Sequence, residues 1–251
     1  MEGGFKENMN KKIHSFGSGV KNFFKNRSLL RFILYAVSGL FLIQIILVLS
    51  VLSGVFGRIP GKSELQRIAS PLAAEVYTAD GVLMGKYYIQ NRQYLDPGQI
   101  TSGLRDALIA TEDIRFYRHN GIDFKSLGRV IVKTILLGDE GSGGGSTLTQ
   151  QLVKNLYPRR DHGLLSLPVN KVREMAAALR IEKIYSKDEI LEMYLTTVPF
   201  GENTFGIKSA SVRFFNKEPR QLKMEEAALL AGMLKATGTY NPVRNPGKAG
   251  G

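Results

Sequence analysis

Cysteine is absent from all 251 residues, so neither disulfide nor thiolate chemistry is open to this chain. Histidine is almost absent too. His14, His119 and His162 lie too far apart in sequence to suggest a histidine-rich metal centre. Acidic residues are outnumbered, 22 against 34 basic, and the formal charge of +12 asks for an anionic partner: nucleic acid, a membrane or a phosphorylated substrate. Internal repeats and low-complexity tracts are also missing, which excludes solenoids and arrays.

Charge is missing altogether from "FILYAVSGLFLIQIILVLSVLSGVF", residues 32–56, where only serines and Gln44 interrupt the apolar run. That length suffices to cross a hydrocarbon core of about 30 Å as a helix, and few soluble helices run so far without a charge. Lys6, Lys11, Lys12, Lys21, Lys25, Arg27 and Arg31 precede it, against Glu2 and Glu7 alone. The positive-inside rule then predicts a cytoplasmic N-terminus and places everything after Phe56 outside the membrane. The predicted organisation is a basic cytoplasmic tail (1–31), a transmembrane helix (32–56), a linker with a β-hairpin (57–97) and a catalytic domain (98–251).

"GRIPGKSELQ" reads as a short linker, and "AAEVYTADGVLMGKYYI" as a hairpin turning at Asp80-Gly81. Beyond it the pattern predicts helices over about 102–118, 124–137, 147–157, 170–185, 187–197 and 223–236. Ser186 and Glu189 form a capping box, and "PFGENTFG" reads as a loop. The fold class is mainly α with a small β element.

Three stretches carry candidate chemistry. In "IATEDIRFYRHNGID", Glu112 falls at helical spacing from Leu108, Ile109 and Phe116, which would shelter a carboxylate among apolar walls and favour its use as a base. The competing reading is a rotated helix with Glu112 paired to Arg115 or Arg118. In "GSGGGSTLTQQLVKNLY", glycines precede a helix that Ser146 or Thr147 can cap, and Thr147, Gln151 and Lys154 share a polar stripe. Free N–H groups with a lysine two turns on suit a phosphate, although a solvated face has the same spacing. The Gly-Lys-Ser/Thr ending of a Walker A loop is absent. In "NKVREMAAALRIEKIY", Glu174 shares a face with Ala177, Ala178 and Ile181, or else pairs at the surface with Arg173 or Lys171. Two half-buried acids on separate helices are the usual equipment for chemistry at a sugar centre.

"EDIRFYRHNGID", "GGSTLTQQLVKN", "NKVRE", "SKDEILEMYL" and "FGENTFGI", with the trailing "EEAALLAGMLKATGTYNPVRNP", occur in the order expected of one family. Over roughly residues 95–246 the chain resembles the peptidoglycan glycosyltransferase domain (glycosyltransferase family 51) of class A penicillin-binding proteins. The resemblance implies a lysozyme-like helical fold on a single anchor helix in the bacterial inner membrane, with the catalytic domain extracytoplasmic. It implies polymerisation of lipid II into a growing glycan strand, with Glu112 as general base and Glu174, the other catalytic glutamate, helping to organise the donor's pyrophosphate. Asp113, Arg115, Phe116, His119, Ser146, Thr147, Gln150, Gln151, Lys154 and Lys171 would bind substrate. A divalent cation (magnesium or manganese) would assist at the pyrophosphate. The bilayer and other cell-wall synthesis proteins are the expected partners, and nucleic acid is not.

One position departs from the family. Its third motif usually begins Arg-Lys, whereas here it is Asn170-Lys171, so a positive contact to the pyrophosphate is missing or comes from Arg173, Arg159 or Arg160. The only Ser-x-x-Lys, Ser18 to Lys21, lies in the tail without transpeptidase partners. The expectation is the N-terminal part of a bifunctional protein. A glycan-cleaving lysozyme-like enzyme and a catalytically weak membrane scaffold are the alternatives. "VIVKTILLG" (130–138) and "GLLSLPV" (163–169) are expected either to dip into the membrane interface or to be ordinary core.

Overall fold

A computed structural model of the chain describes residues 27–67, 74–80, 83–87, 91–92, 95, 97–137, 144–245 and 247. The chain divides into two units, 1–55 and 56–251. Most of the basic tail lies outside the described residues.

The first unit contains helix α1, Arg27–Leu52. Its apolar part, Arg31–Leu52, is 22 residues long with none of it buried in protein. At 1.5 Å per residue it reaches about 33 Å, enough to span a bilayer. The helix begins inside the predicted tail and stops before Phe56, because Gly54 adopts φ 90° and turns the chain.

The second unit is mainly helical. Strands β1 (Ala74–Tyr77) and β2 (Leu83–Tyr87) pair antiparallel, as the alternation around Asp80 predicts; Gly81 itself lies outside the described residues. Helices α2 (Ser102–Glu112), α3 (Phe124–Leu137), α4 (Leu148–Leu156), α5 (Ser166–Ile181), α6 (Lys187–Thr197), α7 (Ile207–Phe215) and α8 (Met224–Lys235) follow. Helix α4 is the hub, packed against α5 and α6, while α2 lies along α8. Phe116, Leu148, Leu152, Ile181, Ile190, Leu191, Tyr194 and Phe200 are the core around it.

Four expectations need correction. Helix α2 ends at Glu112 and not near 118, because Asp113 leaves helical geometry (φ −156°, ψ 76°) and a separate 3-10 turn, Phe116–Arg118, follows. Helix α5 starts four residues early; Pro168 sits in its first turn, where a missing N–H costs nothing. "PFGENTFG" is not a plain loop. Strands β4 (Pro199–Gly201) and β5 (Thr204–Phe205) make a tight hairpin, with Glu202 and Asn203 both at positive φ, and β3 (Asn91–Arg92) adds a parallel edge. Helix α7 is unpredicted. It starts at Gly206, whose φ of 79° and whose absent Cβ, which would lie 2.6 Å from the Thr196 oxygen, leave room for no other residue.

The linker is not free. The Arg173 guanidinium donates to the carbonyls of Phe56 (2.7 Å) and Arg58 (3.2 Å). Arg180 donates to Pro60 (2.7 Å), and the Tyr185 hydroxyl to Leu65 (2.8 Å). Residues 173 and 180 are seven apart, so they share one face of α5, and Leu65 is fully buried beside that strap.

Candidate active site

Thr101 starts α2 by accepting the Leu104 N–H at 3.2 Å. Leu104 and Leu108 are enclosed, and Glu112 follows Leu108 by one turn at the open end of the helix. The carboxylate is half-buried. Its Oε2 accepts a hydrogen bond from Gln151 Nε2 at 2.8 Å, and Gln151 Oε1 accepts one from the Tyr194 hydroxyl at 3.0 Å. The rotated-helix reading fails, since Arg115 pairs instead with Asp123. Phe116 is enclosed as predicted, but by the 3-10 turn and not by helical spacing from Glu112.

An open cleft of about 440 Å³ lies beside Glu112, within the usual range for a ligand site. Asp113, Ser146, Thr147 and Gln151 line it, and Arg129 and Lys235, which the sequence reading did not single out, add cations.

The start of α4 is wired to the Glu112 motif. Asp113 Oδ2 accepts the Leu148 N–H (3.0 Å) and the His119 Nε2–H (2.9 Å), and His119 Nδ1 accepts the Gly121 N–H (3.2 Å), which puts the imidazole proton on Nε2. Thr147 caps α4 by accepting the Gln150 N–H at 3.2 Å. The Gly121 carbonyl accepts from Thr147 Oγ1 (2.8 Å) and from Gln150 Nε2 (3.0 Å). At φ 85°, and with the Ala178 carbonyl 3.0 Å from where a Cβ would sit, Gly121 permits that approach. Two of the first N–H groups of α4, those of Leu148 and Gln150, are thus bonded within the protein.

A cationic cluster sits one step away, on α5. Lys171 Nζ donates to Ser146 Oγ (2.6 Å) and Gln150 Oε1 (2.7 Å), and lies 3.8 Å from Glu174 Oε2. Glu174, 5 % exposed against buried Ala177, Ala178 and Ile181, accepts Arg159 Nε at 2.7 Å. The carboxylate is therefore buried, while its partner Arg159 reaches it from the surface. Burial pulls the Lys171 pKa down, Glu174 pushes it back up, and the charges of Arg159 and Lys154 lower it further. Hydrogen bonding to Glu174 raises that of Arg159. Arg159 and Lys171 thus share one carboxylate, and Lys154 lies near enough for its charge to act on Lys171, so the cluster carries excess positive charge.

Asn170 is buried and does something other than hold phosphate. Its side chain accepts the Arg160 N–H (3.1 Å) and donates to the carbonyls of Arg160 and Ser166, both at 2.7 Å. It locks the turn that carries Arg159 to Glu174. Of the three arginines considered as replacements, Arg159 reaches Glu174 and Arg173 holds the strap.

Several expected substrate ligands are framework. Phe116 is fully enclosed, with Lys187 4.4 Å over its ring, and cannot touch a substrate. Gln150 is 1 % exposed. Arg115 lines a second cavity, with Arg118 and His119, and its partner Asp123 lines both that cavity and the Glu112 cleft. Burial pushes the Asp123 carboxyl up, but Arg115, the Ser126 hydroxyl and the Ser126 N–H outweigh it and hold the group well below the usual carboxylate range.

No cluster of three or more acidic or histidine residues suited to a metal occurs among the described residues. Glu174, the one acid at the cationic cluster, is already neutralised by Arg159 and Lys171, so these residues do not fit a resident divalent cation.

A half-buried carboxylate thus stands at an open cleft, and Ser146 links that cleft to the cations around Lys171. The chain belongs to the transglycosylase family, whose profile ("Transglycosylase") matches residues 80–250, and it carries the glycosyltransferase domain of class A penicillin-binding proteins. Penicillin-binding protein 1F of Bacillus subtilis is 41% identical over 176 residues, 70% of this chain and 24% of that protein. Penicillin-binding protein 1A of Neisseria lactamica is 37% identical over 213 residues, 85% of this chain and 26% of that protein. The chain thus spans about a quarter of the length of these curated relatives. A solved structure, penicillin-binding protein 1A from Haemophilus influenzae, superposes loosely, with a TM-score of 0.37 at 21% identity over 72% of this chain and 17% of that one.

Proposed function

We propose that the domain polymerises lipid II at the outer face of the bacterial inner membrane. The observation that carries this reading is the pairing of Glu112, half-buried at the mouth of a cleft with one oxygen held by Gln151, with the Lys171–Arg159–Glu174 cluster that Ser146 links to the same cleft. Held through Oε2, Glu112 has Oε1 to take the proton from the 4-hydroxyl of the acceptor's N-acetylglucosamine. As that O–H bond breaks, the oxygen bonds C1 of the donor's N-acetylmuramic acid. The C1–O bond to undecaprenyl pyrophosphate breaks with its electron pair, and C1 inverts. Lys171, Lys154 and Arg159 receive the charge that builds on the departing diphosphate. Glu174 holds those cations in place. No step is routed through a divalent cation.

A lipid-linked substrate keeps its tail in the bilayer, so the domain works against the membrane surface. Leu164, Leu165 and Leu167 are exposed next to exposed Arg159 and Arg160, the mixture that suits an acyl–headgroup boundary. On 130–138, Val132 is exposed, while Gly138 lies outside the described residues. With α1 as a single-pass anchor and its basic flank cytoplasmic, the catalytic unit is extracytoplasmic, where other cell-wall synthesis proteins can meet it.

Labelled lipid II and preformed glycan, each incubated with the detergent-solubilised protein, test the proposal. Long strands from lipid II support it. Cleavage of preformed glycan supports the hydrolase reading instead, and retained lipid II binding without reaction supports a scaffold.

A further inference from the structure

Tyr194 sits in the middle of α6 with no exposure, in a stripe with Ile190, Leu191 and Leu195 that otherwise packs the core. A tyrosine so placed needs a partner for its hydroxyl, and phenylalanine would fill the same space without that need. The partner is Gln151 Oε1, at 3.0 Å, and the other end of the same amide donates to Glu112 at 2.8 Å. We propose that Tyr194 is a positioning residue for the glycosyl transfer, fixing through Gln151 which way the amide faces and so how Glu112 is held.

An amide can present either its oxygen or its NH₂ to a neighbour. A carboxylate needs the NH₂, because the oxygen would repel it. The buried Tyr194 hydroxyl, as a donor, needs the oxygen. The phenol stays a donor: burial, and after it the charge of Glu112, push its pKa far up. Both ends of Gln151 therefore specify one orientation, in which Glu112 is bound as the anion. Without the phenol hydroxyl the amide loses one of its two constraints, and the flipped amide would accept a proton from protonated Glu112. In the substituted enzyme the base should then be aimed less well at the acceptor hydroxyl. Tyr194 is separated from the cleft by Gln151, so substrate affinity should be spared.

This inference rests on Glu112 being the base. The experiment measures kcat and KM for lipid II polymerisation by the wild type, Tyr194→Phe, Gln151→Met and the double variant, with Glu112→Gln as control and a thermal melt of each. For Tyr194→Phe the expected result is a fall in kcat of about tenfold, the scale of one lost hydrogen bond. KM should stay within twofold. In the Gln151→Met background, Tyr194→Phe should change activity by less than twofold, because the path is already cut. Multiplicative effects in the double variant, or a loss carried by KM and not by kcat, would overturn the relay, as would a kcat loss that tracks a lowered melt. An active Glu112→Gln control would instead overturn the proposed function, which separates the two failures.

Discussion

Lys171→Met removes a cation that holds three groups at once. In the folded protein its ammonium donates to Ser146 and Gln150 and lies 3.8 Å from Glu174. Met keeps the aliphatic stem but leaves Gln150 Oε1 enclosed without a donor, which costs about 1–3 kcal/mol. Two effects offset part of that. Lys171 is itself partly desolvated and repelled by Arg159 and Lys154, and Glu174 keeps its 2.7 Å contact with Arg159. A net loss of about 1–2 kcal/mol is therefore expected, lowering Tm by roughly 3–6 °C for a unit of this size. Binding should suffer more: a charge-assisted hydrogen bond to phosphate is worth about 1.5–3 kcal/mol, roughly 10- to 150-fold in affinity. The assay is differential scanning fluorimetry in detergent alongside titration with a pyrophosphate-lipid analogue. An unchanged melt would show that the buried contacts do not form, and unchanged binding would move the diphosphate elsewhere.

Lys154→Ala should weaken the same analogue about tenfold with the melt within about 1 °C, because the side chain is exposed; a large melting shift would contradict its placement. Asp123 carries a pH prediction. Its folded pKa is depressed, so its stabilisation is complete above the unfolded value of about 4 and is lost as pH falls from there toward the lower folded value. Asp123→Asn should accordingly lower the melt near neutral pH and converge with the wild type in acid, and a gap that persists at low pH would refute it. Gly206→Ala should destabilise by about 2–3 kcal/mol, since φ is 79° and the Thr196 oxygen blocks the Cβ; a wild-type melt would mean that the turn is drawn wrongly. Arg180→Ala should loosen residues 56–66 and expose them to limited proteolysis, and an uncut strap would show that Arg173 and Tyr185 suffice.

Much of the helical layout was legible because its signals are local. The Ser186–Glu189 capping box marks the start of α6, and Thr147 caps α4, each where the spacing predicts. The break after Glu112 was not legible, since it depends on Asp113 turning away to Leu148 and His119, partners that lie elsewhere in the chain or fold. Helix α7 escaped because it opens on a positive-φ glycine with no polar cap. At the site, the sheltered Glu112 and the acid on the alanine face of α5 were readable from helical spacing. Which cation meets which acid was not. Arg159 reaches Glu174 only because Asn170 pins the intervening turn, and Lys171 reaches back to Ser146 across 25 positions. Tyr194 left one usable sign, a tyrosine inside an otherwise apolar stripe.

The central claim, that Glu112 takes the acceptor's proton, is tested most directly by Glu112→Gln assayed with labelled lipid II. The amide keeps the side chain's size but cannot act as a base, so strand formation should fall by at least about a thousandfold, the scale of lost general base catalysis, while the thermal melt moves by no more than about 2 °C. Glycan synthesis within a few-fold of the wild type would contradict the account.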